Sequence, residues 1–394
     1  MQVGIPVVII RGGTSKGLFF HEKDLPADQT LRDEILLAAM GSPDPRQIDG
    51  MGGSYSTTSK VAIIGPSSRP DADVDYTFAQ VSVTQALVDY KGNCGNISSG
   101  VGPFAIDEGL VEAVEPVTVV RIHNTNTGKI IHAEVPVRDG KADIYGDTAI
   151  PGVPGTGAEI RLGFVEPGGS VTGKLLPTGN PLDKWDIPGF GPLEVSFVDA
   201  ANPVVFVRAT DIGMVGTESA EAIDANERWL EILETVRSVA AEKAGLVDDY
   251  RKGTDESPAV PKVAVVAPPA DYTTAVGEKI SADDVDLLAR IMSMQRAHRA
   301  YALTGGIATA SAACIPGTLV EEVTRKDRDP QKPIRLGHPG GSMPLYAVVD
   351  TVDGQPFVRS VKSIRTSRRL MVGTVFVPER KLSRSLTERN TVAG

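Results

Sequence analysis

The chain repeats itself, and that repeat narrows its fold more than any other feature. Lys60 opens Lys-Val-Ala-Ile-Ile-Gly-Pro and is followed later by Gly-Asn-Cys94-Gly-Asn. Lys262 opens Lys-Val-Ala-Val-Val-Ala-Pro and is followed by Thr304-Gly-Gly-Ile-Ala-Thr. Setting Cys94 on Thr304 brings Ile97 onto Ile307, and both segments run on through small residues to a Leu-Val pair. Two related halves are therefore expected, each with a lysine-led strand and a Gly-rich helix start. Only the first half has a thiol at that start, which predicts a one-sided proton-transfer site at a pseudo-twofold interface.

A chain of 394 residues exceeds the usual span of one core. The expected division is residues 1–190, residues 191–383 and a polar, flexible tail at 384–394. A net charge of −10 argues against nucleic acid or an anionic membrane as partner. It leaves an anionic small molecule open, because local cations and helix N-termini decide that. No apolar run approaches the roughly 18 residues of a membrane span. The first residues pass directly into Ile5-Pro-Val-Val-Ile-Ile with no basic leader, so no secretory signal is expected. Two cysteines make no disulfide framework and no metal-ligand spacing. The expectation is a reduced, cytoplasmic protein with no metal.

Short β-rich runs bounded by Gly, Pro, Asn or Asp predict strands at 7–10, 60–64, 75–83, 117–123 and 130–137. The second half repeats them at 193–197, 203–207, 262–266, 345–349 and 374–377. Apolar spacing predicts helices at 31–40, 219–244 and 282–294, the last starting after Ser281 with Asp283 and Asp284 in its first turn. Segments 97–110 and 307–313 are built from Gly, Ala, Ser and Ile, which suits helices enclosed by a curved sheet. The Gly- and Pro-rich stretch 151–192 reads as loops and as the domain junction.

Arg11-Gly12-Gly13-Thr14-Ser15-Lys16-Gly17 follows a strand and can form an anion-binding nest, or simply a hairpin turn with charged flanks. It lacks the spacing of a phosphate-binding P-loop. Met51-Gly52-Gly53 and Gly337-His338-Pro339-Gly340-Gly341-Ser342 are similar loops, and alone each reads as a turn, with His338 a surface turn histidine. The remaining histidines, His298 among them, suggest no chemistry. Cys94 before Gly95-Asn96 is more specific, since a thiol at a helix N-terminus meets unpaired N–H groups that favour thiolate. The same amides suit a carboxylate or an enolate oxygen. Cys314 aligns with Phe104 and is placed in the body of its helix, with a structural role. Lys60 lies among hydroxyl residues; as a base it would need burial or nearby cations to become neutral at working pH.

Taken together, Arg-Gly-Gly-Thr-Ser-Lys-Gly, Gln-Ile-Asp-Gly-Met-Gly-Gly, Thr-Ser-Lys, Gly-Asn-Cys-Gly-Asn, Pro-Lys-Val-Ala, Ile-Pro-Gly-Thr and Gly-His-Pro-Gly-Gly resemble the 2-methylaconitate cis-trans isomerase (PrpF-type) family, in order from residue 7 to about 378. That family includes aconitate isomerases, 3-methylitaconate isomerases and oxalomesaconate tautomerases. The resemblance implies an α+β, diaminopimelate epimerase-like fold of two β-barrel-like domains, each enclosing a central helix. It implies catalytic Lys60 and Cys94. It places carboxylate binding on Arg11, Gly12, Gly13, Thr14, Ser15, Gly52, Gly53, Gly95, Asn96, Thr304, Gly340, Gly341 and Ser342; Lys262 joins these from the repeat. Thr304 stands where the epimerase branch has a second thiol, which disfavours two-thiol stereoinversion.

The implied reaction is proton abstraction from the γ carbon of an unsaturated di- or tricarboxylate through a dienolate, with no metal or organic cofactor. Reprotonation at the same carbon gives cis-trans isomers, and reprotonation elsewhere shifts the double bond. The rival of another class is a non-catalytic, tricarboxylate-binding accessory protein for an iron–sulfur dehydratase. A functional partnership with an aconitase-like dehydratase, and a homo-oligomer, are further expectations.

Overall fold

The computed structural model describes residues 1–383; the tail expected at 384–394 lies outside the described residues. Strands dominate, and all but a short two-stranded ribbon at Tyr272–Thr273 and Lys279–Ile280 join into one large sheet that curls around two central helices.

The first half begins with β1 (Gln2–Gly12) and β2 (Ser15–His21), antiparallel to each other. A helix, α1 (Gln29–Met40), then crosses over to β3 (Lys60–Pro66), which runs parallel to β2 with Lys60 opposite Gly17. β4 (Val74–Val81) returns antiparallel and sets Gln80 across from Lys60. The second crossover is α2 (Gly95–Asp107), leading to β5 (Val117–Asn124), parallel to β4. β6 (Lys129–Arg138) and β7 (Ile160–Val165) follow as antiparallel neighbours.

The second half runs through the same sequence of pairings. β8 (Gly191–Asp199) and β9 (Pro203–Arg208) are antiparallel, and α3 (Glu227–Lys243) crosses to β10 (Lys262–Ala267), parallel to β9 with Lys262 opposite Val204. β11 (Leu287–Ser293) returns antiparallel, and α4 (Leu303–Ala312) crosses to β12 (Ile334–His338), parallel to β11. β13 (Gly341–Val352) and β14 (Gln355–Arg365) complete the copy. The expected internal repeat is thus a repeat of hydrogen-bond topology. β14 pairs with β7, and β15 (Ser367–Pro378) returns to pair with β1, so the two halves are stitched by strands.

Three apolar layers result. α1 covers the outside of the first half, with Ile35 and Leu36 against Phe20 and Val61. α3 covers the second, with Leu233 and Val236 against Phe197 and Val263. Both β3 and β10 are therefore buried on both faces, which accounts for their unbroken apolar runs. The third layer encloses α2 and α4. Their small residues are required by this closeness: a Cβ on Gly100 would stand 2.7 Å from Phe19, and one on Gly305 would stand 2.4 Å from Ile291. Asp28 caps α1 by accepting from the Leu31 N–H at 2.8 Å, and Gly41 ends it at φ 78°.

Several expectations need correction. Residues 282–294 are not a helix: a 3-10 turn at Ala282–Asp284, capped by Ser281, gives way to β11. Every residue of β11 is buried, so the strand carries no alternation to distinguish it from a helix. The helix expected over 219–244 is broken at Ala225 and Asn226, where Asn226 caps α3 through the Trp229 N–H. The stretch 151–192 contains β7 and a strand at Asp183–Ile187 as well as loops. α4 ends at Ala312, so Cys314 lies just past the helix end, not within its body. His338 is 2% exposed, not a surface turn residue.

Candidate active site

Each lysine of the repeat is the first residue of a strand, and that position aims both into one cavity. Its walls also include Ser15, Gln80, Cys94, Asn202, His298 and Thr304. Lys60 is 6% exposed. Its Nζ donates to Gln80 Oε1 at 2.6 Å and lies 5.1 Å from the centroid of the Phe78 ring. The Gln80 amide cannot turn over freely, because its Nε2 donates to the carbonyls of Ser59 and Ser56 at 2.9 and 3.2 Å. Its oxygen is thereby fixed on the lysine.

Lys262 occupies the matching place in the second half. Its Nζ approaches the Ala259 carbonyl at 3.3 Å. Burial, and then the nearby Lys60 charge, bring its ammonium down to about 8. Among the described residues neither lysine forms an ion pair; their hydrogen bonds go to uncharged oxygens. Asp89 also lines the cavity, but its oxygens accept from the backbone N–H groups of Lys91 and Ala259.

Cys94 is the N-cap residue of α2, half-buried, and its side chain makes no capping hydrogen bond. The thiol is left beside the free first-turn amides of Gly95 and Asn96. Across the cavity Thr304 sits in the first turn of α4, its hydroxyl donating to the Asn93 carbonyl at 3.4 Å and receiving Asn202 Nδ2 at 3.5 Å. The two helix mouths nearly touch, since a Cβ on Gly95 would stand 2.9 Å from Leu303.

Two polar atoms in this cavity are buried without a partner: the Ser15 hydroxyl and Asn202 Oδ1. Orphaned groups of that kind normally have a partner, and in a cavity the partner is a ligand or water. His298 is a third polar wall. Its Nδ1 accepts the Ala300 N–H at 3.0 Å, so Nε2 carries the proton, and burial followed by the two lysine charges lowers its pKa to about 3. It is a neutral donor at any working pH.

The cavity gathers Ser15, Lys60, Cys94, Gly95, Asn96, Lys262 and Thr304 from the residues named by the sequence. Other candidates lie outside its walls. Arg11 donates to the carbonyls of Gly13 and Thr366 at 3.0 and 2.9 Å. Gly12 and Gly13 let β1 approach α2, since a Cβ on Gly12 would stand 2.4 Å from the Asn96 carbonyl. Gly52 packs on the Gln47 side chain, Gly53 on Thr58, and Gly340 on His338 and Ala300, while Gly341 adopts φ +134° beside Pro151. Thr14 and Ser342 line a neighbouring cavity. Gln80, Asn202 and His298 were missed by sequence reading; for Gln80, the strand register opposite Lys60 was the available signal.

The cavity holds about 30 Å³, room for roughly one water molecule. It adjoins an open cleft of about 570 Å³ that shares Ser293 and His298 with it and draws its walls from both halves. Tyr55 of the first half and Arg299 of the second meet in that cleft, the guanidinium 5.8 Å from the ring centroid.

The chain is similar along nearly its whole length to known proteins. The family described as PrpF protein matches residues 2–378. The 3-methylitaconate isomerase of Eubacterium barkeri is 52% identical over 97% of this chain and 99% of its own length. The 2-methyl-aconitate isomerase of Cupriavidus necator is 42% identical over 96% of this chain and 98% of its own. A crystal structure of a methylitaconate-delta-isomerase, 52% identical, covers 98% of both chains with a TM-score of 0.77.

Proposed function

Taking as premise that the chain belongs to the PrpF protein family and is an isomerase, we propose that it isomerises an unsaturated di- or tricarboxylate, 2-methylaconitate or aconitate between cis and trans, by removing a proton from the γ carbon. Neutral Lys60 takes that proton. The electron pair of the broken C–H bond moves through the double bond into the conjugated carboxylate and gives a dienolate. The former C=C gains single-bond character and rotates, and the Lys60 ammonium returns the proton to the same carbon. Cys94 positions the substrate or serves as acid, and the first-turn amides of α2 and α4 stabilise the enolate oxygens. Lys262 supplies positive charge to the same oxygens. The cations and amides meet the electrostatic demand of the dienolate, so the scheme invokes no cofactor.

The observation that carries the reading is the pair of lysines, neither held in an ion pair among the described residues, beside a helix-mouth thiol. Two close cations favour a state in which one of them is neutral, which is how a base and an electrophile arise from identical side chains. The Lys262 value near 8 favours a second assignment in which the two lysines exchange roles. A second substrate reading, a double-bond shift on 3-methylitaconate or oxalomesaconate, is favoured by the 52% identity to a 3-methylitaconate isomerase; it uses the same dienolate with reprotonation elsewhere. A tricarboxylate far exceeds the closed cavity, so entry through the adjoining cleft requires its walls to part. A homo-oligomer and a dehydratase of the aconitase type as functional partner belong to the same proposal, since such hydration selects one isomer of the double bond.

The deciding experiment is proton NMR in D2O with a panel of unsaturated polycarboxylates. Deuterium should enter the γ carbon of the true substrate as its isomer appears. A panel showing neither exchange nor isomerisation would leave the accessory-protein alternative in its place.

A further inference from the structure

Arg365, the last residue of β14, is 5% exposed, and its guanidinium has only uncharged partners. Nε donates to Asn96 Oδ1 at 3.1 Å, and Nη1 donates to Ser363 Oγ and the Ile364 carbonyl at 3.0 and 2.7 Å. Nη2 meets the Met343 sulfur at 3.0 Å, a weak acceptor. Burial brings this group down to about 10, and no acidic neighbour acts against it. A buried cation normally has an anion beside it, because the uncompensated charge is costly.

The guanidinium lines a cavity of about 140 Å³ that adjoins the lysine cavity, with Asn96 between them. Asn96 receives Arg365 on its oxygen and donates from its nitrogen to Thr14 Oγ1 at 3.1 Å. His338 faces the same space. Its Nδ1 accepts the Gly340 N–H at 3.1 Å, which leaves the proton on Nε2, and burial before the neighbouring cations holds the ring neutral. The hydroxyls of Thr14 and Ser342 stand on one side, and Ile150, Pro151 and Ile364 form an aliphatic wall. A cation, a neutral donor and an apolar wall in a space this size match one chemistry.

We infer that this second cavity binds a carboxylate carried on a short aliphatic stem, with Arg365 as its counterion and His338 as an additional donor. The ligand is the remote carboxylate arm of the isomerase substrate or a separate small carboxylic acid. Only the first source rests on the proposed function.

The test uses the full chain and two unreactive probes, butyrate and tricarballylate, the latter a saturated tricarboxylate with no double bond to move. Titration calorimetry should show both binding to the unmutated protein. Arg365→Gln should weaken butyrate by roughly 10- to 100-fold, the range expected for a lost charged hydrogen bond, and tricarballylate equally where the cavity takes the substrate arm; Arg365→Lys should recover part of that loss. Ile150→Trp fills the cavity while leaving the arginine in place and should give the same loss, so it decides the matter if Arg365→Gln fails to fold. Competition between the probes assigns the cavity to the substrate arm; simultaneous binding assigns it to a separate acid. A folded Arg365→Gln or Ile150→Trp protein that binds both probes as the parent does overturns the inference. Because neither probe reacts, that result is independent of whether Lys60 turns anything over.

Discussion

The two helix mouths occupy equivalent places in the repeat yet do different work. At the first, Cys94 leaves its side chain uncommitted beside free amides. At the second, the Thr304 hydroxyl is engaged with Asn93 and Asn202, bridging the halves. The lysines differ in the same direction. Lys60 is held at 2.6 Å by an amide whose own orientation is fixed by two carbonyls, whereas Lys262 has one contact at 3.3 Å. A duplicated scaffold thus supplies the enclosure twice and the reactive groups unequally. Chemistry on one face needs one precise base and one positioned thiol, and the second half can be given over to charge and closure.

The largest effect should come from breaking the lysine contrast. Lys60→Ala should lower turnover by about 10⁴-fold, the upper range for a general base, while tricarballylate binding stays within about tenfold. Near-normal turnover would reject Lys60 as the base. In the parent, kcat/KM should fall as pH climbs through about 8, where Lys262 gives up its proton and its charge at the enolate oxygens; a rise there would favour the exchanged roles. Lys60 charge is one cause of that low value, so Lys60→Met should move the Lys262 titration upward. If the lysines exchange roles, the Met variant stays active with its basic limb displaced to higher pH. Loss of all activity keeps Lys60 as the base.

Sharpening the contrast between the mouths calls for Cys94→Ser. Serine preserves size and hydrogen bonding at the helix start but not a thiol's acidity, so turnover should fall by roughly 10²-fold with folding intact. An unchanged rate and pH profile would remove Cys94 from proton transfer and leave a one-base catalyst. The smallest effect belongs to the other thiol. Cys314 is half-buried past the end of α4, contacted by Arg328 at 3.5 Å, and burial raises its pKa. Cys314→Ala should leave turnover unchanged and cost about 1 kcal/mol in a denaturant melt; lost turnover in a folded variant would revive the two-thiol racemase.

The sequence exposed those parts of the site that the repeat duplicates. Lys60, Lys262, Cys94 and Thr304 were visible because each lies at or beside the start of an element whose partner in the other half reads alike. The family resemblance added Ser15 to the expected set. Gln80, Asn202, His298 and Arg365 were not visible, because their roles depend on strand register and on segments far apart in the chain. His298 and Arg365 have no local pattern separating a buried polar residue from a surface one. β11 was read as a helix for a related reason: a strand covered on both faces loses its period-two signature. The glycine pair at 12–13 reads as an anion nest and the resemblance adds 52–53 as carboxylate-binding, but their small size equally serves close packing, against Asn96 and against the side chains of Gln47 and Thr58.

The return of β15 has a consequence for how the molecule can be divided. The proposed units, residues 1–190 and 191–383, follow the repeat, but β15 lies in the second unit and pairs with β1 of the first from Gln2 opposite Pro378 to Gly12 opposite Ser367. A first unit made alone would present β1 as a long unpaired edge, the kind of surface that recruits other chains. Each fragment would be incomplete without the other, and only their mutual complementation could close the sheet. The same pairing brings the first and last described strands side by side, with the Glu379 N–H donating to the Met1 carbonyl at 3.1 Å. Residues 1–379 therefore come nearly full circle, and their meeting point is a junction that a circularly permuted chain could move elsewhere.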